Sequence, residues 1–238
     1  MIYKLIKKFP KKRPALDSRI KEFYQDEYLK NRNGENIVHS LANKLESWMH
    51  KKIAYLPRKR ILEIGAGTLN HLSYESRFKS YDIVEPFSNL YQNREILKQV
   101  DFIWADIQEI KIGRYDKILS IATLEHVQDL PKLLAKSCFL LKSSGVFQVG
   151  IPAEGGFLWG LTWRITTGLE FFLRTGLNYK NLMRHEHINS AKEIELLCKW
   201  LFRDVKIKYF PIYGLHFSWY IYLECRQPQL NRAREILK

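Results

Sequence analysis

A glutamate two residues ahead of a pair of alternating glycines, Glu63-Ile64-Gly65-Ala66-Gly67, closes a short apolar run that begins at Ile61. The glycines let the backbone turn sharply out of a buried strand and leave no side chain between it and a ligand. A dinucleotide fingerprint would carry a third glycine where this chain has Asn70, so NAD fits poorly. Glu63 instead suits a ligand with a cationic amino group, received directly or through water. S-adenosylmethionine offers such a group. The stretch after Gly67 reads as helix-compatible.

Two further carboxylates stand at the ends of strand-like runs. Tyr81–Val84 leads into Glu85, which lies 22 residues after Glu63, near the separation of roughly 20 at which nucleoside-binding folds place an acid for ribose hydroxyls. Phe102–Ala105 leads into Asp106, placed to accept from an adenine amino group. Open parallel sheets bind ligands at strand C-termini, so three such acids predict one site. Ala66 and Asn70 in the loop, Pro86 and Ile107 beside the acids, and Ile121 at the end of a fourth run complete the expected donor-binding set.

With these motifs the chain resembles the class I S-adenosylmethionine-dependent methyltransferases, from about Ile61 to Ile151. The resemblance rests on the 63–67 loop, Glu85, Asp106, and the strand Tyr115–Ile121 followed by Leu124-Glu125-His126-Val127. It implies an α/β, Rossmann-like, seven-stranded sheet flanked by helices, with the donor over the strand ends. Many members carry a third glycine at the position of Leu69, which predicts a differently shaped helix start here. Adenine- and cytosine-amino DNA enzymes resemble one another in a Pro-Pro run absent from Ser120–Thr123, the only nearby thiol is Cys138, and no magnesium-binding acid lies in Ser120–Leu124. Gly65–Leu72, Glu154-Gly155-Gly156 and Glu186–Asn189 look most like enzymes of bacterial surface polysaccharide assembly.

Methyl transfer is an in-line displacement that needs positioning and, for a hydroxyl acceptor, a base. His126, just past the fourth strand, and His187 and Glu154 on the substrate side are the catalytic expectations. A histidine at 126 equally suits a structural helix start. The run Arg184-His185-Glu186-His187 shows too few ligands for a metal site by itself, so no metal is expected.

The elements that must hold these groups follow from periodicity. Residues 16–56 read as two helices, the second with Ile37, Leu41, Leu45 and Trp48 on one face, so that 1–58 form a basic arm and helical cap and 59–238 the catalytic domain. Asp129-Leu130-Pro131 starts a helix whose stripe runs from Leu130 through Leu141 to a stop at Ser144-Gly145, and Val146–Ile151 is the fifth strand. Ser190-x-x-Glu193 is a capping box. Val205–Phe210 and Phe217–Glu224 read as closing strands, with an antiparallel edge. Between the fifth strand and the capped helix, 152–188 form an apolar, aromatic insertion that suits a lid, an oligomer contact, an interfacial helix, or plain packing.

Hydrophobic content of 46% supports a core, and three widely spaced cysteines fit buried thiols in a reducing compartment. The basic residues of 1–14 lack the apolar run of a secretory signal, so a cytoplasmic location is expected, with peripheral contact to the inner face of the membrane as a second expectation. The net charge of +14 fits an anionic partner or a merely solubilising surface. The expected acceptor is a hydroxyl or amine of a sugar, nucleotide-sugar or lipid-linked glycan. An RNA methyltransferase and a non-catalytic donor-binding subunit remain the alternatives.

Overall fold

The computed structural model describes residues 2–20, 47–111 and 113–238. The expected helix face at Ile37, Leu41 and Leu45 lies outside the described residues, whereas Trp48 falls in the helical residues 47–54. Seven strands form one sheet: β1 (Arg60–Ile64), β2 (Ser80–Val84), β3 (Phe102–Trp104), β4 (Tyr115–Ile121), β5 (Leu141–Pro152), β6 (Phe202–Pro211) and β7 (Ser218–Pro228). Their order is β3-β2-β1-β4-β5-β7-β6. β1 to β5 are parallel, and β7 runs antiparallel between β5 and β6. The last two strands thus close the sheet as an antiparallel edge, with β6 outermost.

Strands buried on both faces read as near-continuous apolar runs, and β1 has four successive buried residues. On one face Leu62, Ile64, Ile118, Phe147 and Val149 meet helices α1 (Ile2–Ile6), α2 (Leu130–Leu140), α6 (Ala191–Leu201) and α7 (Leu230–Leu237). On the other, Ile61, Tyr81, Ile83 and Leu119 meet Met49 and Ile53 of the 47–54 helix. Both are fully buried, each contributing about 1.5–3 kcal/mol. The insertion supplies α3 (Phe157–Ile165), α4 (Thr167–Thr175) and α5 (Tyr179–Glu186).

Two expectations are corrected. Leu141 opens β5 instead of extending α2, pairing with Tyr115 before a register shift that brings Val146 opposite Lys117. The stretch after Gly67 forms one 3-10 turn, Leu72–Tyr74, and no α-helix. Leu69, at the position of the family's third glycine, has φ of 63°. A left-handed residue cannot continue a helix and costs about 1–2 kcal/mol. Burial of the Leu69 side chain to 1% exposure offsets this by a similar amount, about 1.5–3 kcal/mol.

Candidate active site

The glycine loop sits where β1 leaves the sheet. Gly65 and Gly67 have φ of 74° and 52°, a region that favours glycine. A Cβ on Gly65 would lie 2.3 Å from the Thr123 side chain, so the loop and the end of β4 are in van der Waals contact. At Gly67 a Cβ would meet nothing within 4 Å, so the loop faces open space there. Glu85 pins this geometry: Oε2 accepts from Gly67 N at 2.8 Å and Oε1 from Phe87 N at 3.0 Å. Each oxygen keeps a lone pair for a further donor. Asp106, exposed, caps a 3-10 turn by accepting from Gln108 N at 2.8 Å, and Ile107 behind it is buried. Ala66 is buried, Pro86 and Asn70 are exposed, and Ile121 ends β4.

Glu63 differs from the other acids in its surroundings. It lies 2% exposed on β1, and the Tyr81 hydroxyl donates to its Oε2 at 2.7 Å. Burial, reinforced by the carboxylates of Glu75 and Glu85 and opposed by the Tyr81 hydrogen bond, pushes its carboxyl up to about 8. In the free protein at neutral pH it is therefore largely protonated.

The residues expected to do chemistry come together. Glu154 follows β5 and accepts from Trp159 Nε1 at 2.8 Å; its Oε2 also lies 2.9 Å from His187 Nδ1. His187 follows α5, and its ring packs edge-on against His126 with centroids 4.9 Å apart. Burial disfavours a charged His187, but hydrogen bonding to Glu154 and the carboxylates of Glu125, Glu154 and Glu186 outweigh it and raise its affinity for a proton. Burial and the neighbouring His187 instead lower His126 to about 4. Burial also works against ionised Glu154, yet the His187 hydrogen bond and charge hold it below the usual carboxylate range.

Several positioning groups carry no motif. Buried Asn189 donates from Nδ2 to the carbonyls of Leu124 and Val127 at 2.8 and 2.7 Å, and its N–H bonds Glu125 O at 3.0 Å. It locks the segment after β4 to the linker bearing His187. The capping box forms as expected, with Ser190 and Glu193 exchanging bonds. Lys11 of the basic arm bonds Ile188 O and Glu193 at 2.7 and 2.8 Å, and Arg13 pairs with Glu186 at 3.5 Å. Part of the arm is thus a strap over this site rather than a free anion-binding surface. Glu125, buried beside His126, joins the two histidines, all three offering donor atoms within 4.8 Å of one another. The spacing of 184–187 could not reveal it, because Glu125 follows β4, about 60 residues earlier in the chain.

A family described as a methyltransferase domain matches residues 26–199. The chain belongs to this methyltransferase family. Members such as this methyltransferase share a fold with solved structures at low identity. The plantazolicin methyltransferase BpumL in complex with SAH superposes with a TM-score of 0.60 at 16% identity, covering 95% of this chain and 99% of that one. A Thermotoga maritima S-adenosylmethionine-dependent methyltransferase, described as a possible histamine N-methyltransferase, gives 0.58 at 18% identity over 87% and 97%. A malonyl-[acyl-carrier protein] O-methyltransferase of Bacillus cytotoxicus is 29% identical over 118 residues, 47% of this chain and 41% of its own length. The methyltransferase therefore spans less than half of that curated relative in the matched region.

Proposed function

We propose that this methyltransferase moves the methyl group of S-adenosylmethionine to a hydroxyl or amine of a small acceptor, with sugars, nucleotide-sugars and lipid-linked glycan intermediates as the acceptor class. The observation that carries the reading is the His187–Glu154 pair at 2.9 Å, set against His126 past the end of the strand that abuts the glycine loop. In this reading the donor lies in the open space over Gly67, its ribose hydroxyls on Glu85 and its adenine amino group near Asp106. Pairing of its ammonium group with the Glu63 carboxylate would release the Glu63 proton to solvent.

S-adenosylmethionine would supply an electrophilic methyl group, the acceptor lone pair forming the new bond as the carbon–sulfur bond breaks and its electron pair returns to sulfur. The acceptor proton passes to the free Nε2 of His187, and Glu154 at Nδ1 stabilises the imidazolium that results. Ile121, Ala66, Asn70, Pro86 and Ile107 would line the donor.

A lipid-linked acceptor is favoured by the insertion. Phe157, Leu161 and Ile165 on α3 and Leu169, Phe172 and Leu173 on α4 are exposed, with Arg164 and Arg174 among them. Apolar residues flanked by arginines suit the headgroup boundary of an anionic membrane. Among the described residues no helix is long and apolar enough to cross one. Radiolabelled methyl transfer to glycan and lipid-linked acceptors tests the assignment. His187→Ala and His126→Ala should each lower turnover by about a hundredfold or more, and near-normal rates in both would overturn it.

A further inference from the structure

The cluster that flanks the acceptor side has the anatomy of a metal centre. Glu125, His126 and His187 each bring a donor atom within 4.8 Å of the other two, and His126 Nε2 lies 3.9 Å from Glu125 Oε1. Around a tetrahedral ion with bonds of 2.0–2.1 Å, ligand atoms stand about 3.4 Å apart. To close on an ion the set must therefore contract by up to about 1.4 Å.

The hydrogen bonds behind the rings point the same way. His126 Nδ1 faces the Glu186 carbonyl at 2.9 Å, and His187 Nδ1 faces the Glu154 carboxylate at 2.9 Å. Both partners are acceptors, so each Nδ1 carries a proton, and in the neutral ring the lone pair is on Nε2. Metal-bound imidazoles are held this way, their second nitrogen donating to a carbonyl or carboxylate. The scaffold is also prepared, since Asn189 ties the two ligand-bearing segments together through three hydrogen bonds. A second close histidine pair among the described residues lacks this character: His50 and His71 face each other through Nδ1 at 3.1 Å, and His71 Nε2 is taken by Glu75.

We propose that Glu125, His126 and His187 bind a divalent first-row transition ion, with Glu154 and the Glu186 carbonyl orienting the two imidazoles. Two nitrogens and one carboxylate oxygen suit ions such as Zn²⁺, Co²⁺ or Mn²⁺ over Mg²⁺ or Ca²⁺. Three protein ligands leave open positions for an oxygen-bearing acceptor. The proposal replaces His187 as the base while keeping the methyl transfer of the proposed function, because a bound metal commits its Nε2 lone pair to the ion and would instead lower the proton affinity of an oxygen acceptor held in an open position.

The test is titration of the untagged, chelator-stripped full chain with Co²⁺, followed by its visible absorption. All three cysteines are buried, so thiolate binding does not compete in the folded protein. About one ion per chain is expected. Glu125→Gln, His126→Ala and His187→Ala should each weaken binding at least tenfold, and Glu154→Gln should do so by about 10- to 100-fold. His185→Ala, which alters the outward neighbour, should bind as the parent does. Donor binding by the variants establishes that they fold. Absence of a Co²⁺ band in the parent, or binding that survives both histidine changes, overturns the metal site. Loss of turnover in His187→Ala without metal binding in the parent would overturn it too and leave His187 as the base.

Discussion

Donor affinity should depend on pH through Glu63. With its carboxyl at about 8 in the free protein, about one molecule in a hundred has Glu63 ionised at pH 6 and about one in ten at pH 7. An ammonium group that pairs with the carboxylate requires the ionised form, so the apparent Kd should tighten about ninefold from pH 6 to pH 7, worth about 1.3 kcal/mol. The gain should flatten above pH about 8, where an α-amino group begins to lose its own proton. Calorimetry with S-adenosylhomocysteine, which carries the same amino group and cannot react, reads this directly. In buffers of different ionisation enthalpy at pH 6.5, binding should release about one proton per site. Glu63→Gln, which keeps a partner for the Tyr81 hydroxyl, should bind more weakly with no slope in this window. Equal affinities at pH 6 and 7 in the parent, or the same slope in the variant, would refute the reasoning. The ligand-free protein supplies an independent check. The fold holds a proton at Glu63 that the unfolded chain has given up above its usual value of 4.5, so this group's stabilisation is lost as pH rises towards about 8. Urea unfolding of Glu63→Gln should lack that decline.

The two loop glycines should separate by assay. Gly65→Ala places a Cβ against Thr123 at 2.3 Å with φ of 74° and should lower Tm and abolish donor binding. Gly67→Ala meets no atom, so its unfolding free energy should drop only by about 1–2 kcal/mol for its left-handed backbone while donor binding is lost. Beneath the sheet, Lys117 Nζ bonds Glu75 Oε1 at 2.6 Å, with both side chains fully buried. Lys117→Met should destabilise by about 3–5 kcal/mol in urea, and Glu75→Gln with Lys117→Met should recover most of it. Phe172→Asp with Leu173→Asp, on residues 55% and 75% exposed, should abolish sedimentation with anionic vesicles and leave donor binding unchanged. Sedimentation equal to the parent would remove the insertion from any membrane role.

Strand positions were legible because burial on both faces imposes apolar runs bounded by turn residues. The fourth run, Tyr115–Ile121, coincides with β4. The expected catalytic residues lie far apart in sequence, yet each stands just beyond a strand or helix end, where a parallel sheet gathers its loops. What escaped was long-range and polar. Nothing local marks Asn189 as the clamp between 124–127 and 187, because its partners are backbone carbonyls about 60 residues away. Glu125 looked like half of a helix start, and its proximity to His187 follows only from that clamp. The basic arm read as a surface for anions because charge counts omit partners, whereas Lys11 is paired with Glu193. The missing helix after β1 follows from one buried left-handed leucine, a conformation that apolar periodicity does not report.

We propose that S-adenosylmethionine binds over the glycine loop with Glu85 on its ribose. Calorimetric titration of the full chain and of Glu85→Ala with S-adenosylmethionine tests it most directly, with NAD as the control. Donor binding in the parent that is lost in Glu85→Ala, with no binding of NAD, is the predicted result. No donor binding in the parent, or affinity unchanged in the variant, would contradict the account.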